Sequence, residues 1–245
     1  MRIPRIWIPA TLSRDAVVAL PAETVHYLRS VLRLAVGAEV VVFDGEGIEC
    51  RGLIARLGRQ DGAVHLTDVP SEPQRESPLA ITLLQGISRG ERMDLVMQKA
   101  VELGVARIVP VLCARTGVHL SGERAAKRQA HWQGILAHAA AQCGRARLPA
   151  LAAPLAFTDA LALPAQDTDL RLMLEPTAET GLDERPAPAS VALLIGPEGG
   201  LDSRERILAR EHDFHGIRLG PRILRTETAA LAAISVLQSR WGDLR

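Results

Sequence analysis

Apolar and polar positions follow two different rhythms along this chain, and the rhythm changes near residue 78. Before that point the apolar runs are short and are broken by turn residues. Arg2–Ile8 alternates around prolines and predicts an edge strand. Glu23–Leu34 carries Val25, Leu28, Val31 and Leu32 at helical spacing, with Gly37 as the stop signal. Val40–Phe43, Asp44-Gly45 and Ile48–Leu57 predict a hairpin, because Asp-Gly favours the primed turns that match strand twist. Ala63–Val69 adds a strand. Several short strands and one helix predict a compact, barrel-like module, and the proline-rich polar stretch Pro70–Pro78 predicts a linker.

Beyond the linker, strands and helices alternate. Ile81–Gln85 predicts a strand, and Glu91–Gly104 a helix with Met93, Val96, Met97, Ala100 and Leu103 on one stripe. Arg107–Leu112 predicts a strand. Glu123–Cys143 predicts a long helix with Trp132, Ile135, Leu136, Ala139 and Cys143 inward and Gly144 as its cap. Val191–Ile195 is an uninterrupted apolar run, as suits a strand buried on both faces of a parallel sheet, and Leu170–Leu174 predicts a strand as its neighbour. Ser203–Arg210 reads as a helix, Ile217–Leu219 as a strand, and Thr226–Trp241 as a closing helix with Thr226 as N-cap. This alternation argues for an α/β domain whose ligand lies outside the carboxyl ends of the strands. Leu174-Glu175-Pro176, Gly196–Gly200 and Gly220–Leu224 all fall at such ends.

Two of those turns share a design: an apolar run stops at Gly-Pro, at Gly196-Pro197 and again at Gly220-Pro221. Gly199 and Gly200 follow the first, so bare backbone amides are available to a flat ligand. A phosphate cradle is excluded, since neither G-x-G-x-x-G at a helix start nor G-K-[ST] occurs. Glu198 and Glu227 inside the turns would repel a phosphate. The turns suit a nucleoside-like ligand of low negative charge, or else are ordinary strand–helix connections.

Composition narrows the picture further. In 245 residues the net charge is +1, so no global basic field advertises a nucleic-acid partner. Before residue 34, however, Arg2, Arg5, Arg14, Arg29 and Arg33 face only Asp15 and Glu23. That patch is either an RNA-contacting face, with His26 to stack on a base, or a solvated surface. Cys50, Cys113 and Cys143 are far apart, which predicts no metal site and a reducing compartment. No signal peptide or membrane-length apolar run is visible, and a cytoplasmic location is expected.

GPEGG after a buried strand and LGPRILRTETA at Leu219–Ala229 closely resemble the C-terminal signature of the ribosomal-RNA small-subunit methyltransferase E (RsmE) family, in the SPOUT class. Further matching pieces are MDLVMQKAVELGV at Met93–Val105, Arg115-Thr116, AAAQCGRARLP at Ala139–Pro149, and HYLRSVLRL from His26 followed by Gly37. The chain departs from the family at Thr116, where Ser is usual, and in the alanine-rich stretch before the last motif.

The resemblance implies a SPOUT parallel sheet with a trefoil knot at residues 79–245, a linker at 71–78, and a PUA-like RNA-binding β-barrel at 1–70. It implies methylation of uridine N3 in 16S rRNA of the small ribosomal subunit, using S-adenosylmethionine (SAM). It also implies a homodimer, with the apolar helix Ala229–Leu237 and Trp241 as candidate interface. Arg225 is then the candidate for stabilising charge on the uracil oxygens, and Glu198 and Glu227 are the candidates to orient substrate or accept the N3 proton. Leu174, Glu175, Gly196, Pro197, Gly199 and Gly200 are expected to hold the cofactor. So are Leu219, Gly220, Ile223, Leu224, Thr228 and Ala229. Arg115 and Arg222 join Arg2, Arg5, Arg14, His26, Arg29 and Arg33 as expected RNA contacts. The alternatives are that Arg225 and Glu227 merely pair or cap a helix, and that the protein is a non-catalytic ribosome-binding protein on the same scaffold. A nucleotide-dependent oxidoreductase is disfavoured by the missing glycine fingerprint.

Overall fold

The computed structural model describes residues 3–118, 120–163, 168–182 and 186–244. The chain divides into two compact units. One is Met1–Glu76 together with Ala137–Leu148, and the other is Ser77–Leu136 together with Pro149–Arg245.

In the first unit, β1 (Arg5–Trp7), β2 (Val17–Ala19), β3 (Glu39–Phe43), β4 (Glu49–Leu57) and β5 (Gly62–Leu66) form one sheet in the order β1-β3-β4-β5-β2. The expected edge strand is β1, which pairs parallel to β3; β2 at the opposite edge has only three residues and gave no clear sequence signal. Val40, Val42, Ile54, Val64 and Leu66 bury one side of the sheet against Val25 and Leu28. Those two residues come from α1 (Ala22–His26) and the π-helical turn Tyr27–Val31 that continues it. The expected helix therefore widens halfway and stops at Arg33, which has a left-handed φ of 55°. The Asp44-Gly45 connection is not a two-residue turn. Asp44 Oδ1 accepts from the amides of Glu46, Gly47 and Ile48, which wraps the loop around a carboxylate.

The polar stretch expected as a linker is pinned within this unit. Ser71 and Glu49 exchange backbone hydrogen bonds at 2.9 Å. Arg75 donates to the Gly144 carbonyl at 2.7 Å, and Glu76 accepts from Arg145 at 2.6 Å. Its partners lie some seventy residues away in sequence, beyond the reach of local composition.

The second unit is an α/β structure. Its strands are β6 (Ala80–Gly86), β7 (Arg107–Leu112), β8 (Ala150–Leu151), β9 (Leu155–Ala156), β10 (Leu170–Leu174), β11 (Ser190–Ile195) and β12 (His215–Ile217). They form a parallel sheet in the order β12-β10-β11-β6-β7-β8, with β9 also on β7. The central strands β6 and β11 are buried along nearly their whole length, which is why both are mostly apolar. The helices are α2 (Glu91–Glu102), α3 (Gly122–Cys143), α4 (Phe157–Ala162), α5 (Ser203–Glu211) and α6 (Thr226–Trp241). The last turns of α3 group with the first unit.

Helix α6 packs on α2 and β11. Ala230, Ala233, Ile234, Leu237 and Gln238 form its buried face. Gln238 is fully buried yet satisfied: Ser77 Oγ donates to its Oε1 at 2.7 Å, and its Nε2 donates to the Leu103 carbonyl at 2.8 Å. Helix α5 opens with a capping box between Asp202 and Glu205, and Glu205 also accepts from the Ala114 amide at 2.7 Å. Two expectations at the C-terminal end shift. Strand β12 ends at Ile217, so Leu219 and Gly220 lie in a loop. Thr226 is the first residue of α6, not its cap; the N-cap is Arg225, whose side chain makes no capping bond.

Candidate functional site

The carboxyl ends of β10, β11 and β12 open onto one cavity of about 510 Å³. The three turns expected to converge there all line it. Its apolar wall includes Leu174, Ile195, Leu201, Ile217, Leu219 and Leu224, and charged side chains surround this wall. A nucleoside-sized ligand fits this volume and lining.

One buried hydroxyl fixes the cavity's frame. Thr226 Oγ1 donates to the Gly196 carbonyl at 2.7 Å and accepts from Gln85 Nε2 at 3.0 Å. The end of β6, the turn after β11 and the first turn of α6 are thereby tied at one atom. The turn also sits directly on Gly86, where a Cβ would lie 2.4 Å from Pro197 N, so a side chain there would displace the turn.

The glycines of the turns are less uniformly bare than expected. A Cβ at Gly196 would meet Leu201 N at 2.9 Å, and one at Gly199 would meet Arg115 Cβ at 2.9 Å. These two serve close packing. Gly200 and Gly220, with φ of 66° and 70°, have nothing within 4 Å of that position. They are the open ones, and both adopt a conformation that favours glycine.

The two carboxylates differ in surroundings. Glu198 accepts from the Arg89 amide at 2.9 Å and from Arg92 Nη1 at 3.1 Å. Burial pushes its pKa up, but the amides of Arg89 and Glu198 and the Arg92 guanidinium outweigh that and hold the carboxyl below its ordinary value. These contacts commit Glu198 to holding the Arg89 amide and the Arg92 guanidinium. Glu227, in the first turn of α6, has a side chain only 13% exposed. Its Oε1 lies 4.0 Å from Arg92 Nε, while Oε2 is buried without a hydrogen-bond partner. Buried carboxylate oxygens ordinarily have a donor, so Glu227, a residue of the cavity lining, is incompletely satisfied.

Arg222 and Arg225 line the mouth, exposed, and neither has a hydrogen bond or ion pair among the described residues. The alternative in which Arg225 and Glu227 pair or cap the helix is not what forms. Ile223 between these arginines is 85% exposed.

Other expected contacts are engaged elsewhere. Glu175 is buried and accepts from Arg210 at 2.6 Å, with Arg206 at 3.6 Å and the Thr177 hydroxyl at 3.4 Å, so it braces the cavity wall. Arg115 donates to the Gly199 carbonyl at 2.9 Å. Pro197 and Ala229 line the cavity; Thr228 is exposed and does not.

Among the expected RNA contacts, Arg2 lies outside the described residues. Arg5 is a correction. Its side chain is 7% exposed, pairs with Glu49, donates to the Arg145 carbonyl at 3.1 Å and stacks over Phe43. Arg14, His26, Arg29 and Arg33 are exposed, Arg29 donating to the Gly58 carbonyl at 3.1 Å. Sequence reasoning missed Arg92 and Gln85. Arg92 offered a faint signal, a cation opening α2 off its apolar stripe, while Gln85 read as part of a strand. Among the described residues, no cluster of His, Cys, Asp and Glu is arranged to hold a metal, and no helix is long and apolar enough to cross a membrane.

Comparison with known proteins gives this geometry a context. A family model described as an RNA methyltransferase domain matches residues 75–238, and one described as an RNA methyltransferase PUA domain matches residues 20–64. The chain is 32% identical to the ribosomal RNA small subunit methyltransferase E of Buchnera aphidicola, across 99% of this chain and 98% of that one. It is 28% identical to the Bacillus subtilis protein of the same name, across 93% and 91% respectively. Among solved structures it is similar to a putative methyltransferase of Legionella pneumophila in complex with bound SAM, with 39% identity, full coverage of both chains and a TM-score of 0.94. A ribosomal RNA small subunit methyltransferase E of Neisseria gonorrhoeae bound to S-adenosyl methionine gives 37% identity, full coverage of both chains and a TM-score of 0.91.

The Thr226 joint can be tested directly. Thr226→Val keeps the shape but strips the Gly196 carbonyl of its donor, which costs about 1–3 kcal/mol. In a chain of this size each kcal/mol lowers Tm by roughly 2–4 °C. Thr226→Ser keeps the hydroxyl and is expected to melt close to wild type. Equal melting of wild type and Thr226→Val would remove the joint from the argument.

Proposed function

The chain belongs to the ribosomal RNA small subunit methyltransferase E family, and from that premise we propose that it methylates N3 of a uridine in 16S rRNA with SAM as methyl donor. The observation that carries the reading is the cavity at the strand ends, lined by a nearly covered carboxylate, Glu227, and by the exposed, unpaired side chains of Arg222 and Arg225. The residues present suit SAM. The apolar wall accepts an adenosine, Gly200 leaves room against its backbone, and carboxylates in place of phosphate-binding groups favour a cationic ligand.

When bound, SAM supplies an electrophilic methyl whose bonding pair departs with the sulfur. The remaining tasks fall to this chain. Uracil N3 carries a proton and is a poor nucleophile until the proton leaves. The Glu227 carboxylate accepts it, and the freed N3 pair forms the new bond to carbon. Arg225 stabilises the negative charge that spreads onto the uracil oxygens. Arg222 holds a neighbouring phosphate, while Arg14, His26, Arg29 and Arg33 of the first unit contact the RNA. Residues 1–70 act as a PUA-like barrel for RNA, 71–78 as the connector, and 79–245 as the methyl-transferring domain, working in the cytoplasm. A trefoil knot in that domain belongs to the same proposal.

The test uses small subunits from cells lacking the gene, incubated with the purified protein and SAM and then digested for mass analysis. One new N3-methyluridine is expected; its absence, or a methyl on another base or on ribose, overturns the reading. In the same assay Arg225→Ala is expected to lower kcat by about 10²–10³-fold, with SAM affinity unchanged. Unchanged turnover would remove Arg225 from the chemistry.

The functional unit is a homodimer. The outward side of α6 leaves Val236 40% exposed beside partly buried Leu231 and Ala232, an apolar strip suited to a second copy. Light scattering is expected to give twice the chain mass and Val236→Glu to lower it; a monomer at assay concentration contradicts the dimer.

A further inference from the structure

Arg92 has no part in the reading above, yet it is the only cation in an ion pair with Glu227 among the described residues. It stands at the start of α2, between two carboxylates. Its Nη1 is 3.1 Å from Glu198 Oε1, and its Nε is 4.0 Å from Glu227 Oε1. Glu198 is held in turn by the Arg89 amide at 2.9 Å. The row has a direction: a backbone amide anchors Glu198, Glu198 anchors the guanidinium, and the guanidinium presents its charge to one oxygen of Glu227. The other oxygen is buried without a hydrogen-bond partner, and the residue as a whole lines the cavity.

The surroundings leave Glu227 few other charged neighbours. Helix α6 packs on α2 and β11. Strand β11 (SVALLI) has no titratable side chain. Of the charged residues on α2, only Arg92 reaches Glu227. Arg115, Arg206, Arg218, Arg222 and Arg225 line the same cavity without pairing with it.

We infer that Arg92 is a positioning residue which, anchored by Glu198, sets the orientation of the Glu227 carboxylate at the cavity wall. The inference rests on the methyl-transfer reading and deepens it. Glu198 acquires a role as well: it locks the arginine in place. A single rigid fork between two carboxylates suits Arg better than Lys, whose compact ammonium satisfies only one partner geometry at a time.

The test is a double-mutant cycle in kcat on deficient small subunits, using Arg92→Gln, Glu227→Gln and the pair. Glu227→Gln is expected to lose about 10²-fold or more in kcat. Arg92→Gln is expected to lose about tenfold, with KM for RNA and SAM affinity within about twofold of wild type. The double variant is expected to be no slower than Glu227→Gln alone, and Arg92→Lys to recover part of the loss. Unchanged kcat in Arg92→Gln overturns the inference, as does a loss that adds in full to that of Glu227→Gln. A loss confined to SAM affinity or to Tm makes Arg92 structural and also overturns it. Full activity of Glu227→Gln removes the inference while the methyl-transfer reading stands, whereas a wild-type protein that methylates no uridine N3 removes both.

Discussion

The Thr226 hydroxyl is the constraint on which the rest of the cavity depends. Three segments meet at it: the end of β6 through Gln85, the turn after β11 through the Gly196 carbonyl, and the first turn of α6. The β6–β11 ladder runs as far as Gln85 and Ile195 but does not reach α6, which this hydroxyl ties to both. A buried hydroxyl with both partners in place favours this arrangement, because moving α6 away would leave the hydroxyl and the Gly196 carbonyl unpaired. Fixing residue 226 also fixes its neighbours. Arg225 projects outward at the N-cap and is exposed, while Glu227 turns inward and is nearly covered. Cation outside and carboxylate inside thus follow from one anchored residue between them.

The glycines contribute in two separate ways. Gly86, Gly196 and Gly199 let backbones approach, so that the Gly-Pro turn can sit down on the end of β6 and against Leu201 and Arg115. Only Gly200 and Gly220 present an open backbone. Packing glycines set the cavity's shape, and of the open ones Gly200 lines it while Gly220 does not. A sequence cannot distinguish the two kinds, since the difference lies in what another segment places above each Cα.

Much of the second unit was legible because its signals are local. The β10 boundaries are read from a mostly apolar stretch that ends at Glu175-Pro176, and α6 from the apolar run that closes the chain. The convergence of three loops follows from the rule for parallel sheets, which needs only the order of elements. The errors have a common cause in distant partners. Arg5 counts toward a basic patch in a window of sequence, but Glu49 and the Arg145 carbonyl absorb it. The stretch around Arg75 and Glu76 reads as a linker until residues 144 and 145 return to bind it. Arg92 was passed over for the same reason, because its two carboxylates lie more than a hundred residues further along the chain. Strands of two or three residues, β2, β8 and β9, are too short for any period to register.

The cations around the cavity are sorted by commitment, and that sorting bears on which ligand goes where. The side chains of Arg218, Arg222 and Arg225 stand exposed and, among the described residues, unpaired, where a polyanion is attracted without losing much of its hydration. The other arginines of this region are already committed: Arg92 to Glu198, Arg115 to a carbonyl, Arg206 and Arg210 to Glu175. A phosphate beside those would meet neutralised guanidinium groups and the carboxylates that neutralise them, and would gain nothing. A cationic or neutral group meets no such penalty. On the proposed reading the site therefore discriminates by position: the nucleic-acid backbone is held at the free arginines, and the apolar wall with Glu227 is left to the methyl donor and the base.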